Sequence, residues 1–221
     1  MKTHRLTKAM SLLTALLMLF ALCAVPAHED GARVTFNLSN ETLQAFSGFV
    51  QVCVRTQMFE DVFRRTIPVT ADALSAADVG SFDFTDTVAG READSFLEFR
   101  LSDAEGAVLS TSVLLFGKPK CFRYRKPTYR LSVTHLSECL YRLRLQSDVF
   151  AHKVRVDFPG CGADSEDQYL NLASPDGVTY LLRTETDLSA EELQHRAAFF
   201  SVYDLAPECM GDSSRDATET E

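Results

Sequence analysis

No tryptophan occurs anywhere in this chain. Its absence removes the largest flat ring on which a sugar's C–H face can stack. No Cys-x-x-Cys pair is present, so a zinc site is not indicated. A Gly-x-Ser-x-Gly elbow is also missing. The only Walker-like stretch, "GKPK" at 117–120, has the wrong flanks and lacks the Ser or Thr that would hold magnesium. His4, His28, His135, His152 and His195 are scattered, with no i, i+4 pair, so they read as surface or half-buried side chains rather than ligands. Nothing in the spacing positions a Ser/His/Asp triad. A stripe of bases with interleaved aromatics is absent too, and the net charge of −9 repels phosphate backbones. These absences point away from a metal, a cofactor or a nucleic-acid partner.

What is present begins with a leader. "MKTHRLTK" carries Lys2, Arg5 and Lys8 and no acid, and "AMSLLTALLMLFALCAV" follows as an almost unbroken apolar run. Val25 and Ala27 then offer small residues before the polar "HEDG". A basic head, an apolar middle and a small-residue exit describe a secretory signal over residues 1–27, with an apolar leader helix at its heart. The run 9–25 falls short of the ~20 residues that comfortably span a bilayer, which favours a secreted or extracytoplasmic protein. A membrane is a partner only in the alternative where the leader is retained as an anchor. Leu22 before Cys23 argues against a lipoprotein signal. Loss of the leader removes three bases and no acid, taking the charge from −9 to −12.

Five cysteines follow the leader: Cys53, Cys121, Cys139, Cys161 and Cys209. An odd number in an exported chain leaves at least one thiol free, and buried thiols are the favoured reading, with no pairing fixed by spacing. Nearly half of the residues are apolar, enough for a substantial core.

The pattern after the leader is almost entirely strand. "ARVTFNLSN" places Val34, Phe36 and Leu38 on one face, "GFVQVCVRT" does the same with Val50, Val52 and Val54, and "VFRRTIPV" follows. "SFLEFRLSD" buries Leu97, Phe99 and Leu101; beyond the "DAEG" turn, "AVLSTSVLLF" puts Leu109, Val113 and Leu115 in phase. Short alternating segments separated by turn residues are the mark of antiparallel sheets covered on one side. At "GKPKCFRYRKP" two prolines, a glycine and five bases break the rhythm and read as a crossover linker. "TYRLSV", "CLYRLRLQS", "SDVFAHKVRVDFPG", "DQYLNL", "VTYLLRTE" and "FFSVYDL" form a second set, with a capping box at "SAEEL". In "SDVFAHKVRVDFPG", Val154, Val156 and Phe158 alternate with Lys153, Arg155 and Asp157, and with the Tyr169, Leu170, Leu172 group this pair reads as scaffold. The expected fold is all-β: two consecutive immunoglobulin-like antiparallel β-sandwiches at 31–117 and 128–206, joined by a linker at 118–127 and followed by a disordered acidic tail at 207–221.

"VLLFGKPKCFRY", "SDVFAHKVRVDFPG", "DQYLNL" and "FFSVYDL" resemble, in that order, motifs of the C-terminal immunoglobulin-like β-sandwich domains of β-mannosidase-type enzymes in glycoside hydrolase family 2. The crossover is Pro119-Lys120-Cys121-Phe122, the next motif Ser147-Asp148-Val149-Phe150-Ala151 with Val154, and the close Ser201-Val202-Tyr203-Asp204-Leu205. Gln168, Leu170 and Asn171 depart from the Asn, Phe and Asp of the family pattern.

The resemblance implies an accessory module. Family members are retaining glycosidases that mount two glutamates on a (β/α)₈ barrel with carboxyls ~5–5.5 Å apart, and such a barrel needs about 200 residues or more. The stretch before the first sandwich holds only the leader, so no residue here is expected to inherit a catalytic role and the chain is expected to be inactive alone. Glu92, Glu98 and Glu166 read as solvated surface carboxylates. The expected partner is a glycosidase catalytic domain or a homodimer partner, met through an apolar patch left exposed. A secreted carbohydrate-binding module, with Tyr124 and Tyr169 as exposed ligand-binding aromatics, and a fragment of a longer glycosidase are the alternatives. "NLS" at 37–39 and "NET" at 40–42 are glycosylation sequons.

Overall fold

A computed structural model describes residues 20–25, 32–165 and 169–205, the first of these segments as backbone alone. Two pairs of antiparallel sheets follow one another along the chain, as the alternation predicts. The first half contains β1 (Phe20–Val25), β2 (Arg33–Asn40), β3 (Phe46–Thr56), β4 (Asp61–Ala71), β5 (Ser75–Asp83), a helical turn α1 (Thr85–Val88), β6 (Ser95–Asp103) and β7 (Val108–Leu115). Its sheets run β1-β2-β5 and β4-β3-β6-β7. Val34, Phe36 and Leu38 from one sheet meet Val50, Val52, Val54, Leu97, Phe99 and Leu101 from the other, all essentially inaccessible to solvent. Phe36 packs edge-on against Phe99 at 4.4 Å. Burying a side chain of this size contributes roughly 1.5–3 kcal/mol.

A 3₁₀ turn at Pro119–Cys121 leads to the second half: β8 (Tyr129–Ser137), β9 (Leu140–Ser147), β10 (Ala151–Asp157), β11 (Asp164–Ser165), β12 (Leu170–Leu172), β13 (Val178–Arg183), α2 (Ala190–Arg196), β14 (Ala198–Phe200) and α3 (Val202–Leu205). Here the sheets run β11-β13-β9-β8 and β12-β10-β14. Tyr141, Leu143 and Leu145 face Val154, Leu170 and Leu172 across the core. The Tyr141 hydroxyl is satisfied by donating to the Leu188 carbonyl and accepting from the Leu188 amide. Ser189 caps α2 with the full reciprocal box to Glu192 expected from "SAEEL". Gly177, at φ +73°, brings the chain against β9 so closely that a Cβ there would meet the Leu145 carbonyl at 2.1 Å.

Several expectations change. In β7 the apolar phase is double: Leu114 and Phe116 pack on the first core, whereas Val113 and Leu115 face outward toward the second sandwich, and Leu109 is 39% exposed. The closing "FFSVYDL" is a three-residue strand followed by a helical turn, not a single strand. Of the expected leader helix, residues 1–19 and 26–27 lie outside the described residues. Phe20–Val25 are extended and pair with β2 at six positions, Phe20 opposite Asn40 and Val25 opposite Thr35. The expected acidic tail lies outside the described residues.

Asn40 cannot serve the second sequon while the chain is folded. It is 1% exposed and its amide donates to the carbonyls of Gln44, Ala71 and Asp72. Four cysteines whose side chains are described are free thiols, Cys53 and Cys161 buried, Cys139 half-buried and Cys121 exposed.

Candidate functional site

The outer face of the β4-β3-β6-β7 sheet is where the two sandwiches meet. Half of it is covered. Phe96 on β6 stacks on Phe150, which precedes β10, at 4.0 Å. Phe122 and Tyr124 from the linker close over the same ring, with Phe122 lying 5.6 Å from Phe150 and 4.7 Å from Tyr124. The linker is therefore packed rather than free. Tyr124, expected to be an exposed ligand-binding aromatic, is only 5% exposed. Burial pushes its hydroxyl up to about 12, and that oxygen has no protein partner. Exposed Arg123 and Arg125 flank it, and this alternation of base and ring is the signal that the count of bases obscured.

Polar groups stitch the same seam. Gln57 is 5% exposed; its carbonyl accepts from the Phe150 amide, its side-chain oxygen from the Arg125 amide, and its side-chain nitrogen donates to Asp94. Arg55 on β3 donates to Asp61 at 2.7 Å, to Glu98 at 2.5 Å, and across the seam to the Ala173 carbonyl at 3.0 Å. Glu98 is thus not a solvated carboxylate. It is 2% exposed and clamped between Arg55 and Arg100. Burial opposes ionisation of Asp61, yet the hydrogen bonds from Arg55 and Cys53 outweigh it and hold the carboxyl below the ordinary range. Burial, with the hydrogen bond to Asp61, raises the Cys53 thiol to about 11, so it is inert rather than nucleophilic. Glu92 is exposed and Glu166 lies outside the described residues.

The other half of that sheet face is bare. Phe49 on β3 is 43% exposed and Val108 on β7 52%, and Ser102 of β6 lies between them in register. Two apolar side chains thus stay exposed on this half of the face.

A second candidate lies on the outer face of β12-β10-β14. A shallow open groove of about 360 Å³ is lined by Lys153, Arg155, Asp157, Tyr169, Phe200, Ser201 and the two ends of α3, Val202 and Leu205. Tyr169 is 58% and Phe200 52% exposed. Phe200 stands directly opposite Arg155 in the strand register, and Arg155 donates to Asp157 at 2.6 Å. The bulge that places Lys153 at φ 54° breaks the register of β10 here. Asp204 accepts from the Ser201 amide at 2.7 Å and so fixes the start of α3 beneath the groove. Of the two tyrosines expected at a ligand site, only Tyr169 is on this surface. Phe200 and the Arg155–Asp157 pair were not expected there. The "AFF" run gave a signal for Phe200, because Phe199 packs inward and its neighbour must then point out. A guanidinium beside a carboxylate offers donors and an acceptor side by side, which matches adjacent hydroxyls on a sugar ring.

Comparison with known proteins places this architecture. Residues 32–120 match the Mannosidase Ig/CBM-like domain family. The β-D-mannosidase of Dictyoglomus thermophilum superposes on 82% of the chain with a TM-score of 0.71 at 16% identity. The exo-chitosanase of Amycolatopsis orientalis superposes on 83% with a TM-score of 0.51 at 14% identity. The matched region is 21% of the mannosidase and 24% of the exo-chitosanase, so the chain corresponds to a minor part of either enzyme. No curated protein matches the sequence. The fold is shared with part of each of these glycosidases, and the resemblance to the β-mannosidase type holds through the family match at 32–120 and the superposition on the mannosidase.

Proposed function

We propose that this chain is an exported, non-catalytic accessory module of the β-mannosidase type, a rigid double sandwich that docks a glycosidase catalytic domain. The observation that carries this reading is the divided outer face of the β4-β3-β6-β7 sheet. Its covered half is sealed by Phe96, Phe150 and the Arg55 network, while its bare half keeps Phe49 and Val108 in water. In the mannosidase a region of this fold is one part of a much longer chain, which supports a catalytic domain as the occupant. Glu98 supports the non-catalytic part, because two arginines already hold its carboxylate.

The test is to mix the full chain with a β-mannosidase trimmed of its corresponding sandwiches and follow association by sedimentation. A complex weakened at least tenfold by Phe49→Glu is expected. Association of the chain only with itself would replace the enzyme by a second copy, and no association at all would remove the docking role. The chain alone is expected to leave aryl β-mannosides intact; turnover abolished by Glu98→Gln would overturn the non-catalytic reading.

The groove at Tyr169 favours a second reading, carbohydrate binding. Two exposed rings beside the Arg155–Asp157 pair combine the stacking and hydrogen-bonding elements a pyranose requires. Titration with manno-oligosaccharides tests it. Saturation that weakens in both Tyr169→Ala and Phe200→Ala is expected, each ring contributing about 0.5–1.5 kcal/mol. No saturable signal at millimolar sugar removes the idea.

A further inference from the structure

The Tyr169 groove has a neighbour. A second open cavity, of about 430 Å³, shares Arg155 and Asp157 with it. The other walls differ. Those of the groove belong to β12-β10-β14 and α3, with Tyr169 and Phe200 as its rings. Those of the cavity include Phe158, Asp164 and Leu182, and they come from β10 and from β11 and β13 of the opposite sheet, where Ser165 stands across from Leu182. The Arg155–Asp157 pair is thus the common wall of two spaces, each large enough for a small ligand.

The sequence sets this wall in place. Val154 and Phe158 are buried in the second core, so the period of two turns Arg155 and Asp157 outward between them. Beyond Phe158 the chain leaves the sheet at Pro159-Gly160. Gly160 takes φ +74°, which glycine adopts without a Cβ clash, and the Cys161 amide donates to the Phe158 carbonyl at 3.2 Å to close the turn. That turn carries the chain to β11 in the opposite sheet and brings Asp164 to the rim of the cavity, where it is exposed. Phe158 and Leu182 are buried and form an apolar floor.

The two spaces suit different faces of the same kind of molecule. Exposed rings in the groove receive the C–H face of a pyranose. The carboxylates of Asp157 and Asp164 accept from hydroxyls, and the Arg155 guanidinium donates to them. At the wall itself the Arg155 cation and the Asp157 anion lie 2.6 Å apart and cancel, which favours an uncharged ligand over an anionic one. A single sugar ring meets one side of the wall only. We propose that groove and cavity are two subsites of one binding site for a neutral oligosaccharide of at least two residues, one sugar on Tyr169 and Phe200 and the next beyond the Arg155–Asp157 pair against Asp164. This rests on the carbohydrate reading of the groove and adds to it a length requirement and a further residue, Asp164; it is independent of docking to a glycosidase.

Calorimetric titration of the full-length chain with mannose and with mannobiose tests it. Mannobiose is expected to bind about tenfold more tightly, the factor that one or two added hydrogen bonds give. The Asp164 side chain is exposed, so Asp164→Ala leaves the core untouched, and it should bring the ratio of the two affinities close to one. Tyr169→Ala should instead weaken both sugars together. Equal affinities in the unaltered chain would leave the groove reading standing and overturn the second subsite. An Asp164→Ala chain that keeps the full preference for mannobiose would overturn it as well. No saturable binding of either sugar removes the carbohydrate reading and this inference with it.

Discussion

Replacing Arg55 by methionine removes the central cation of the seam while keeping most of its aliphatic bulk. The side chains of Arg55 and Glu98 are 7% and 3% exposed, so neither can turn to water when the other is lost. Breaking a buried pair from one side costs about 3–5 kcal/mol. Two details set where in that range the loss falls. Arg100 still holds Glu98 at 3.1 Å, which softens it, while the Ala173 carbonyl loses its donor from the first sandwich, which adds to it. The lower half of the range, about 3–4 kcal/mol, is expected. For a chain of this size each kcal/mol lowers Tm by about 2–4 °C, so a fall of roughly 6–16 °C should appear in calorimetry. Because Arg55 joins β3 to the segment after β12, the single transition should also divide into two as the sandwiches uncouple. The double variant Arg55→Met/Glu98→Leu should recover part of the loss by removing the stranded carboxylate. A loss below about 1 kcal/mol, or a double variant as unstable as the sum of the singles, would refute the seam as an energetic unit.

Tyr124→Phe removes a buried hydroxyl with no protein partner, so stability should hold or rise, and a loss of more than about 1 kcal/mol in urea titration would show a missed hydrogen bond. Burial, with the nearby Lys153 charge and against a hydrogen bond to Asn171, lowers the His152 pKa from 6.5. Above about pH 6.5 both states are neutral there; below it the unfolded chain takes up the proton first, so stability should fall with pH until the folded-state pKa is passed. His152→Gln should flatten that part of the stability profile between pH 7 and 5. Gly177→Ala combines an unfavourable φ with a Cβ 2.1 Å from the Leu145 carbonyl, and a loss of at least ~2 kcal/mol is expected from equilibrium unfolding.

Much of the fold could be read from alternation because most strands bury one face only. β2 and β9 show it directly, and in β3 and β6 the period of two selects the residues of the first core, Val50, Val52, Val54, Leu97, Phe99 and Leu101, though not those buried on their other face. β5, "SAADVGSFD", escaped because small residues and a glycine carry too little apolar contrast, although it pairs with β2 along its length. In β7 the single phase read through Leu109, Val113 and Leu115 misses that both faces are apolar, one for the first core and one for the seam. The same double burial explains Arg55 and Glu98. A charge between apolar neighbours on a central strand reads as the solvent face, and only the second sandwich, arriving from far along the sequence, makes it interior. The groove was half legible: Tyr169 by its loop position, Phe200 only once β14 is known to pair with β10.

A gene that exchanged one of these sandwiches alone would inherit an open wound. By composition the natural place to cut is 117–127, yet Phe122 and Tyr124 lie there as filling for both halves, and Gln57 depends on the amides of Arg125 within that stretch and Phe150 beyond it. Shuffling that preserves foldability must therefore move the pair as a single cassette, with its breakpoints outside both sheets rather than between them.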